Sequence, residues 1–436
     1  MKIILVLLDG LGDRAHSVLE QRTPLQAASK PHLDRLACLG SNGLFHAALC
    51  GQCLPSENAH YLMFGYDLKE FPGRGPLEAM GYGVPFGETD VVSLAHFSSV
   101  VWQAGIPVLT HSRRDIQGDG AELSRLYQSL TPYETEGVRF ELHQTRLNDA
   151  VLVLSGEVSP FVSDSDPMAI GRPMAMIQPL LVNPEPERSE KTARALNRYL
   201  RHCHAILTDH EVNGLRKARD EAPANFLATQ RCGRLIRHDS FRERWDLSAM
   251  LIGSGAIYEG LAKDLGMTFV RMKDGKDPGK DLGERIEMAL ADSDHDFVHV
   301  HTKVPDEAAH TGDPVKKLNA IESLDRGLDV LVKALEQRQD LLVAVTADHS
   351  TASVTRLIHT GEPVPLTIAG PGVRRDGVTV FDEVSCASGC LGFLRGRELL
   401  LMLLNYADRS SLAGHRLEPL DRPCVPQQYK PFQLGD

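Results

Sequence analysis

The stretch Leu341-Leu-Val-Ala-Val-Thr-Ala-Asp348-His349-Ser350-Thr351 decides how this chain is read. Its apolar run, Leu341 to Val345, reads as a buried strand. An acid and an imidazole follow just past its end. In a parallel α/β sheet, ligands bind outside the carboxyl ends of the strands. Two adjacent metal-ligating side chains at such an end point to a metal. The pattern recurs twice. Lys2 to Leu8 is an apolar strand followed by Asp9-Gly10, and Asp296-Phe-Val-His-Val-His301 is followed by Pro305-Asp306-Glu307 and His310. Three strand ends therefore offer carboxylates and imidazoles to one site, in an α/β fold.

Around these strands the texture of the chain changes twice. Residues 1–85 run strand, helix and a glycine-rich stretch. Pro31 to Leu39 has helical spacing, whereas Phe71 to Gly83 holds too many glycines for one regular element, so Gly73-Arg74-Gly75-Pro76 is expected to form a turn presenting Arg74. Residues 86–245 alternate strand-like runs such as Ala150 to Leu154 with a long helical pattern from Ser189 to His202. From 246 the first texture returns. Ala249 to Ile252 is strand-like, and Gly253-Ser-Gly255 turns into a helix. Asp313-Pro314 opens another helix as N-cap and N1, and Leu318, Ile321, Leu324, Leu328, Leu331 and Leu335 form one apolar stripe behind it. The stretch 416–436 is expected to wrap the surface. Because the two ends share texture and site, residues 1–85 and 246–436 are expected to form one discontinuous domain, with 86–245 inserted.

The 436 residues suffice for two or three domains. A net charge of −11 argues against a nucleic-acid partner, whose phosphates demand a basic surface. No run reaches the roughly 20 apolar residues of a membrane span. The N-terminal apolar run lacks a charged leader and ends at Asp9, so it reads as a strand and not a signal peptide. Eight scattered cysteines suit a reducing cytoplasm. Cys50-Gly-Gln-Cys53, with no second pair near it, reads as two loop thiols.

Asp9, Asp306, His310, Asp348, His349 and His359 carry the chemistry as a set. Mixed carboxylate and imidazole ligands suit manganese, zinc or cobalt better than calcium. Asp306 and His310, four apart, face the same way on a helical turn. Six ligands exceed what one tetrahedral ion needs. Two ions about 4 Å apart would use them all and could clamp both oxygens of an in-line phosphoryl transfer. Ser56, between Pro55 and the helix formers Glu57 to His60, is expected to open a helix, where backbone N–H groups favour an anion. A plain N-cap serine is the bland alternative.

These residues resemble the archaeal-type 2,3-bisphosphoglycerate-independent phosphoglycerate mutases. The resemblance is carried by Asp9-Gly10, Thr23-Pro-Leu-Gln-Ala-Ala28, Ser56-Glu57 with His60, Gly65-Tyr66-Asp67, and Gly73-Arg-Gly-Pro-Leu-Glu-Ala79. It continues through Asp164-Ser-Asp166-Pro167, Pro305-Asp-Glu-Ala-Ala-His310-Thr-Gly-Asp313, Asp348-His-Ser-Thr351, His359 with Pro363-Val-Pro365, and Ser385-Cys386, Gly389 and Leu391-Gly392. It runs nearly end to end, in order and spacing. It implies an alkaline-phosphatase-like core sheet with helices on both faces, plus an inserted α/β cap. It implies that Ser56 takes the phosphoryl group from one hydroxyl of phosphoglycerate and returns it to the other, without 2,3-bisphosphoglycerate. Asp306, His310 and His359 would hold one divalent ion, and Asp9, Ser56, Asp348 and His349 the second, manganese ahead of zinc, cobalt or magnesium. The cap would supply cations to the substrate, with Arg113, Arg114, Arg216 and Arg219 as candidates, joined by Arg74 and Lys303 from the catalytic side.

Three departures stand against this pattern. Glu57-Asn58 follows the serine where the family usually has an acid and a threonine. Asn148-Asp149 stands where the family usually shows His-Arg. Lys273 to Gly279 replaces a Gly-Thr-Gly-like loop. A mutase acting on 3- and 2-phosphoglycerate is the first reading. A metal-dependent phosphatase or phosphonate hydrolase acting on another small phospho-compound is the second, and a non-catalytic metal-binding protein the third. A small phosphorylated substrate is the expected partner, with no nucleic acid and no membrane, and the sequence fixes no oligomeric state.

Overall fold

The computed structural model describes residues 1–434; Gly435 and Asp436, the end of the 416–436 stretch, lie outside them. The strands in chain order are β1 (Lys2–Leu8), β2 (Gly40–His46), β3 (Val91–Gln103), β4 (Ile106–His111), β5 (Tyr133–Thr135), β6 (Val138–Arg146), β7 (Asp149–Gly156) and β8 (Phe226–Gly233). They continue with β9 (Ala249–Gly253), β10 (Thr268–Arg271), β11 (Phe297–Thr302), β12 (Leu341–Thr346), β13 (Val364–Ala369) and β14 (Gly392–Arg395).

The chain divides into two compact units, residues 1–71 with 238–436 and residues 72–237. Among the described residues of the first, eight strands form one sheet in the order β10-β9-β11-β1-β12-β13-β2-β14. β10, β9, β11, β1 and β12 run parallel, and β13 is antiparallel to both its neighbours. Every residue of β11, β12 and β13 is buried. A strand buried at every position has both faces covered, which is why these runs lack alternation. One group of helices, Pro31–Leu39, Pro278–Ala291, Pro314–Gly327 and Asp329–Gln337, packs together beside the sheet; a second group is Ser56–Met63, Ala256–Asp264 and Glu398–Tyr406. Both groups reach β12, the first through Asp329–Gln337 and the second through Glu398–Tyr406. The fold class is the α/β one expected, a large central sheet flanked by helices.

The second unit is antiparallel. β3 pairs with β4, β7 and β8, β7 with β6, and β6 with β5. Its core gathers Phe97, Leu123, Tyr127, Phe140, Leu152, Leu196 and Tyr199 between the sheet and helices Gly120–Gln128 and Pro186–Asp209.

Three local expectations are corrected. Arg74 does not sit in a turn: Arg74–Tyr82 is a helix, begun by Gly73 at φ 96° and ended by Gly83 at φ 70°. Ala79 of this helix packs on Val92 and Val151, so it belongs with the second unit, and the division falls at 71/72 where the sequence placed it at 85/86. At the other end, Trp245 donates to the Phe64 carbonyl at 2.9 Å and Phe241 stacks on Phe297, which ties 238–245 to the first unit. The apolar stripe from Leu318 to Leu335 spans two helices that break at Leu328. Among the described residues no helix is long and apolar enough to cross a membrane.

Candidate metal centre

β1 lies between β11 and β12, with Leu7 opposite both His301 and Thr346, so the three strands end side by side. Asp9 leaves β1, Lys303 and the helix Val304–Ala309 leave β11, and Asp348 and His349 leave β12. The Gly10 N–H donates to Asp348 Oδ1 at 3.1 Å and joins two of these ends. Gly10 is at φ 66°, and a Cβ there would meet Thr351 Oγ1 at 2.7 Å and Asp306 Cβ at 2.8 Å, so only glycine allows the approach.

Two groups of ligand atoms result, each within 4.8 Å: Asp306 with His310 and His359, and Asp9 with Asp306 and His349. Asp306 Oδ1 lies 3.3 Å from His310 Nε2 and 3.6 Å from His359 Nε2. His359 Nδ1 is bonded to the Leu54 carbonyl at 2.6 Å, which turns its Nε2 toward Asp306. His349 Nε2 lies 3.1 Å from Ser56 Oγ, 3.2 Å from Asp348 Oδ2 and 3.5 Å from Asp9 Oδ1. Ser56 is buried and stands first in the helix Ser56–Met63 with Pro55 as its cap, so its hydroxyl caps nothing. The His349 and His359 rings stack with centroids 3.8 Å apart, which brings the two groups together.

The donor set fits divalent cations. Asp9 Oδ2 accepts from the Tyr258 hydroxyl at 2.7 Å and contacts His301 Nε2 at 3.1 Å, while its buried Oδ1 has no hydrogen-bond partner among the described residues. Asp348 shows the same division: Oδ1 accepts from the Gly10 and His349 N–H groups, and buried Oδ2 has none. A buried carboxylate oxygen without a donor is costly unless a cation faces it. Burial raises the Asp9 pKa, but Lys303, His301 and His349 together hold it well below the usual carboxylate range. Burial and then the charge of Asp9 push Asp348 well above that range. One ionised member of a close carboxylate pair is what like-charge repulsion allows; a dication between them favours both as carboxylates. Burial lowers His349 to about 3, so at neutral pH it is the neutral imidazole that metal binding needs.

Sequence reasoning overlooked part of the support. Tyr258 fixes Asp9. The Thr351 hydroxyl donates to Asp306 Oδ1 at 2.9 Å and lies 3.1 Å from His349 Nδ1. His60, His299 and His301 are fully buried beneath the site, His60 bonded to the Ser56 carbonyl at 2.7 Å and lying 3.2 Å from His299. Burial lowers the His60 pKa to about 4. The two-residue spacing of His299 and His301, which puts both on one strand face, was the available signal.

Among the proposed substrate cations, Lys303 stands in the first unit, its Nζ 3.8 Å from Asp9 and 3.6 Å from Asp306. The rest are in the second unit. Arg74, assigned from sequence to the catalytic side, is there as well, 3.1 Å from Glu78. Arg113 is held in a two-pronged pair by Asp149, Nη2 to Oδ2 at 2.6 Å, and Arg114 is exposed. Arg216 is buried and donates to the Ala222 and Gln117 carbonyls at 2.8 Å. Arg219 bonds Glu221 and Glu122. Arg216 and Arg219 line one cleft of about 680 Å³ with His111, Asp115, Glu122 and Glu221. Asp164 and Asp166 gather other partners. Asp164 accepts the Arg231 N–H at 2.6 Å, and Asp166 pairs with His96 at 3.2 Å. Arg231 is at φ 57°, in a bulge of β8 against β3. A strained backbone at such a position marks a residue that sequence periodicity does not reveal.

Comparison with known proteins agrees with this geometry. The sequence profile of the metalloenzyme superfamily matches residues 1–406. The chain is 40% identical over 435 residues to the 2,3-bisphosphoglycerate-independent phosphoglycerate mutase 2 of Methanocaldococcus jannaschii, covering 98% of each protein. It is 36% identical over 420 residues to the 2,3-bisphosphoglycerate-independent phosphoglycerate mutase of Methanopyrus kandleri, covering 95% of this chain and 98% of that one. Among solved structures, the cofactor-independent phosphoglycerate mutase of Thermoplasma acidophilum aligns with a TM-score of 0.62 at 31% identity, over 93% of this chain and 100% of that one. A Pyrococcus horikoshii protein aligns with a TM-score of 0.73 at 26% identity, over 95% and 99%. Sequence and fold agree over nearly the full length, and the chain belongs to the family of 2,3-bisphosphoglycerate-independent phosphoglycerate mutases, within the metalloenzyme superfamily.

Proposed function

We propose that this protein interconverts 3-phosphoglycerate and 2-phosphoglycerate through a phosphoserine at Ser56, with no 2,3-bisphosphoglycerate. The observation that carries the reading is the position of Ser56. Its hydroxyl caps nothing, stands at a helix start and lies 3.1 Å from His349 Nε2, beside the orphaned oxygens of Asp9 and Asp348. Family membership supplies the substrate.

Two divalent ions are proposed, one on Asp306, His310 and His359 and one on Asp9, Ser56, Asp348 and His349, with Asp306 within reach of both. Manganese is the first choice for this oxygen and nitrogen set, ahead of zinc, cobalt or magnesium. When bound, such ions lower the pKa of a coordinated hydroxyl and stabilise charge on a transferring phosphoryl group. In the first half-reaction Ser56 Oγ bonds to phosphorus as the bond to the C3 oxygen breaks, and the serine proton passes to that oxygen. Glycerate stays in the site. Its C2 hydroxyl then attacks phosphoserine, Ser56 Oγ leaves, and the proton released by the C2 hydroxyl passes to it. Lys303, half-exposed beside Asp9 and Asp306, is read as a contact of the phosphoryl oxygens. The second unit is read as the substrate-binding cap, with Arg74, Arg113, Arg114, Arg216 and Arg219 as its candidate cations. A cytoplasmic location fits eight cysteines that are all free, Cys50 and Cys53 exposed among them.

The test is chemical quenching during turnover of 3-phosphoglycerate, followed by peptide mapping. A phosphoryl group on the peptide containing Ser56 is expected. Ser56→Ala should lower turnover by at least about three orders of magnitude, as removal of a covalent nucleophile does. Near-normal turnover by Ser56→Ala would overturn the covalent mechanism.

A further inference from the structure

Lys317 is fully buried, on the helix Pro314–Gly327. Its ammonium has three N–H donors, and the fold uses each. Nζ lies 2.8 Å from the Gly12 carbonyl, 2.8 Å from the Thr351 carbonyl and 3.3 Å from Asp13 Oδ2. Gly12 belongs to the loop that follows Asp9, and Thr351 to the loop that follows Asp348 and His349. The Thr351 N–H also donates to the Gly12 carbonyl at 2.9 Å, so one carbonyl joins both loops and the lysine. Asp13 ties them again, accepting from the Ser353 hydroxyl at 2.6 Å and from the Ser353 N–H at 3.1 Å.

The third ligand-bearing segment meets the same point. The helix of Lys317 follows Val304–Ala309, which carries Asp306 toward His310. The Thr351 hydroxyl, on the residue whose carbonyl Lys317 holds, touches both Asp306 and His349. One side chain thus connects the segments that bear Asp9, Asp306, Asp348 and His349, without facing the proposed ions itself. A buried charge is an expensive way to hold a fold together, and well-packed apolar replacements of buried ion pairs often preserve stability. What an apolar replacement cannot supply is a set of three donors aimed at two loop carbonyls and a carboxylate.

We propose that Lys317, with Asp13 as its counter-ion, is the positioning residue of the metal centre: it sets the spacing of the ligand-bearing loops, and so the affinity for the divalent ions. This rests on the reading of those side chains as metal ligands, and it concerns metal binding before any substrate is present.

The experiment titrates the metal-free full-length protein with manganese alone and follows free Mn²⁺ by electron paramagnetic resonance. The wild type is compared with the double variant Lys317→Met, Asp13→Asn, which removes both charges of the pair and keeps an amide oxygen for His16, 2.9 Å from Asp13 Oδ1. The metal-free double variant should melt close to the metal-free wild type. Its manganese dissociation constant should rise at least about tenfold, the usual effect of losing support behind metal ligands. With 3-phosphoglycerate at saturating manganese, kcat should fall while KM stays nearly unchanged, because the lysine does not reach the substrate. Manganese binding equal to wild type would overturn the proposal. A double variant unable to fold would overturn it too, since the pair would then be needed for the fold itself. If the wild type turns over no phosphoglycerate but the variant still loses manganese affinity, the proposed substrate fails and the role of Lys317 stands.

Discussion

His349 Nε2 lies 3.1 Å from Ser56 Oγ across 293 residues of sequence. The serine opens a helix in the first part of the chain, and the histidine follows a strand of the last part. Their meeting depends on the sheet built from both ends, in which β1 lies between β11 and β12.

Asp306 belongs to both groups of ligand atoms, whereas His310 and His359 belong to one. Asp306→Ala should therefore cost both ions, and His310→Ala one. Metal content measured by mass spectrometry after exhaustive dialysis distinguishes the cases. Equal loss from the two variants would contradict the shared role of Asp306.

Tyr258→Phe removes the hydroxyl that donates to Asp9 Oδ2 at 2.7 Å and leaves the ring in place. Loss of a buried hydrogen bond to a charged acceptor costs about 1.5–3 kcal/mol. Urea unfolding of the metal-free variant should show a decrease of that order, and manganese should bind roughly tenfold to a hundredfold more weakly. Unchanged affinity would mean that His301 and the backbone hold Asp9 without the tyrosine.

His238 and Asp264, in the first unit, lie 2.8 Å apart. The bond to the carboxylate outweighs burial and raises the histidine pKa above 6.5. A raised folded-state pKa means that the native protein holds the proton more tightly. The contribution is fully present below pH 6.5 and is lost as pH rises through the folded-state pKa. Denaturation midpoints of wild type should fall across that window, and those of His238→Gln should change less. A wild-type profile that rises through the window would reverse the assignment.

The sheet was legible because strands buried on both faces leave uninterrupted apolar runs: Leu341 to Val345 and Lys2 to Leu8 each named a strand, and the acids and imidazoles named its carboxyl end. Ser56 was legible from Pro55 before it. Arg74 was not. Glycines at 73, 75, 81 and 83 read as turn, but Gly73 and Gly83 bound a helix in which Gly75 permits close packing: a Cβ there would meet the Val92 carbonyl at 2.1 Å. Tyr258 and Lys317 were hidden for another reason. Each sits in an ordinary helical pattern, and what sets it apart is a partner about 250 or 300 residues away. Arg216 was legible as a candidate substrate cation; its burial and its bonds to two carbonyls are properties of the folded unit that sequence does not display.

The most direct measurement incubates the purified protein with 3-phosphoglycerate and excess manganese and follows 2-phosphoglycerate and inorganic phosphate together. A mutase retains glycerate after giving up the phosphoryl group, in a site from which water is excluded. The account predicts that 2-phosphoglycerate forms faster than phosphate, and that chelation of the metal stops both. Release of phosphate from several esters with no detectable 2-phosphoglycerate would contradict it and make the protein a hydrolase.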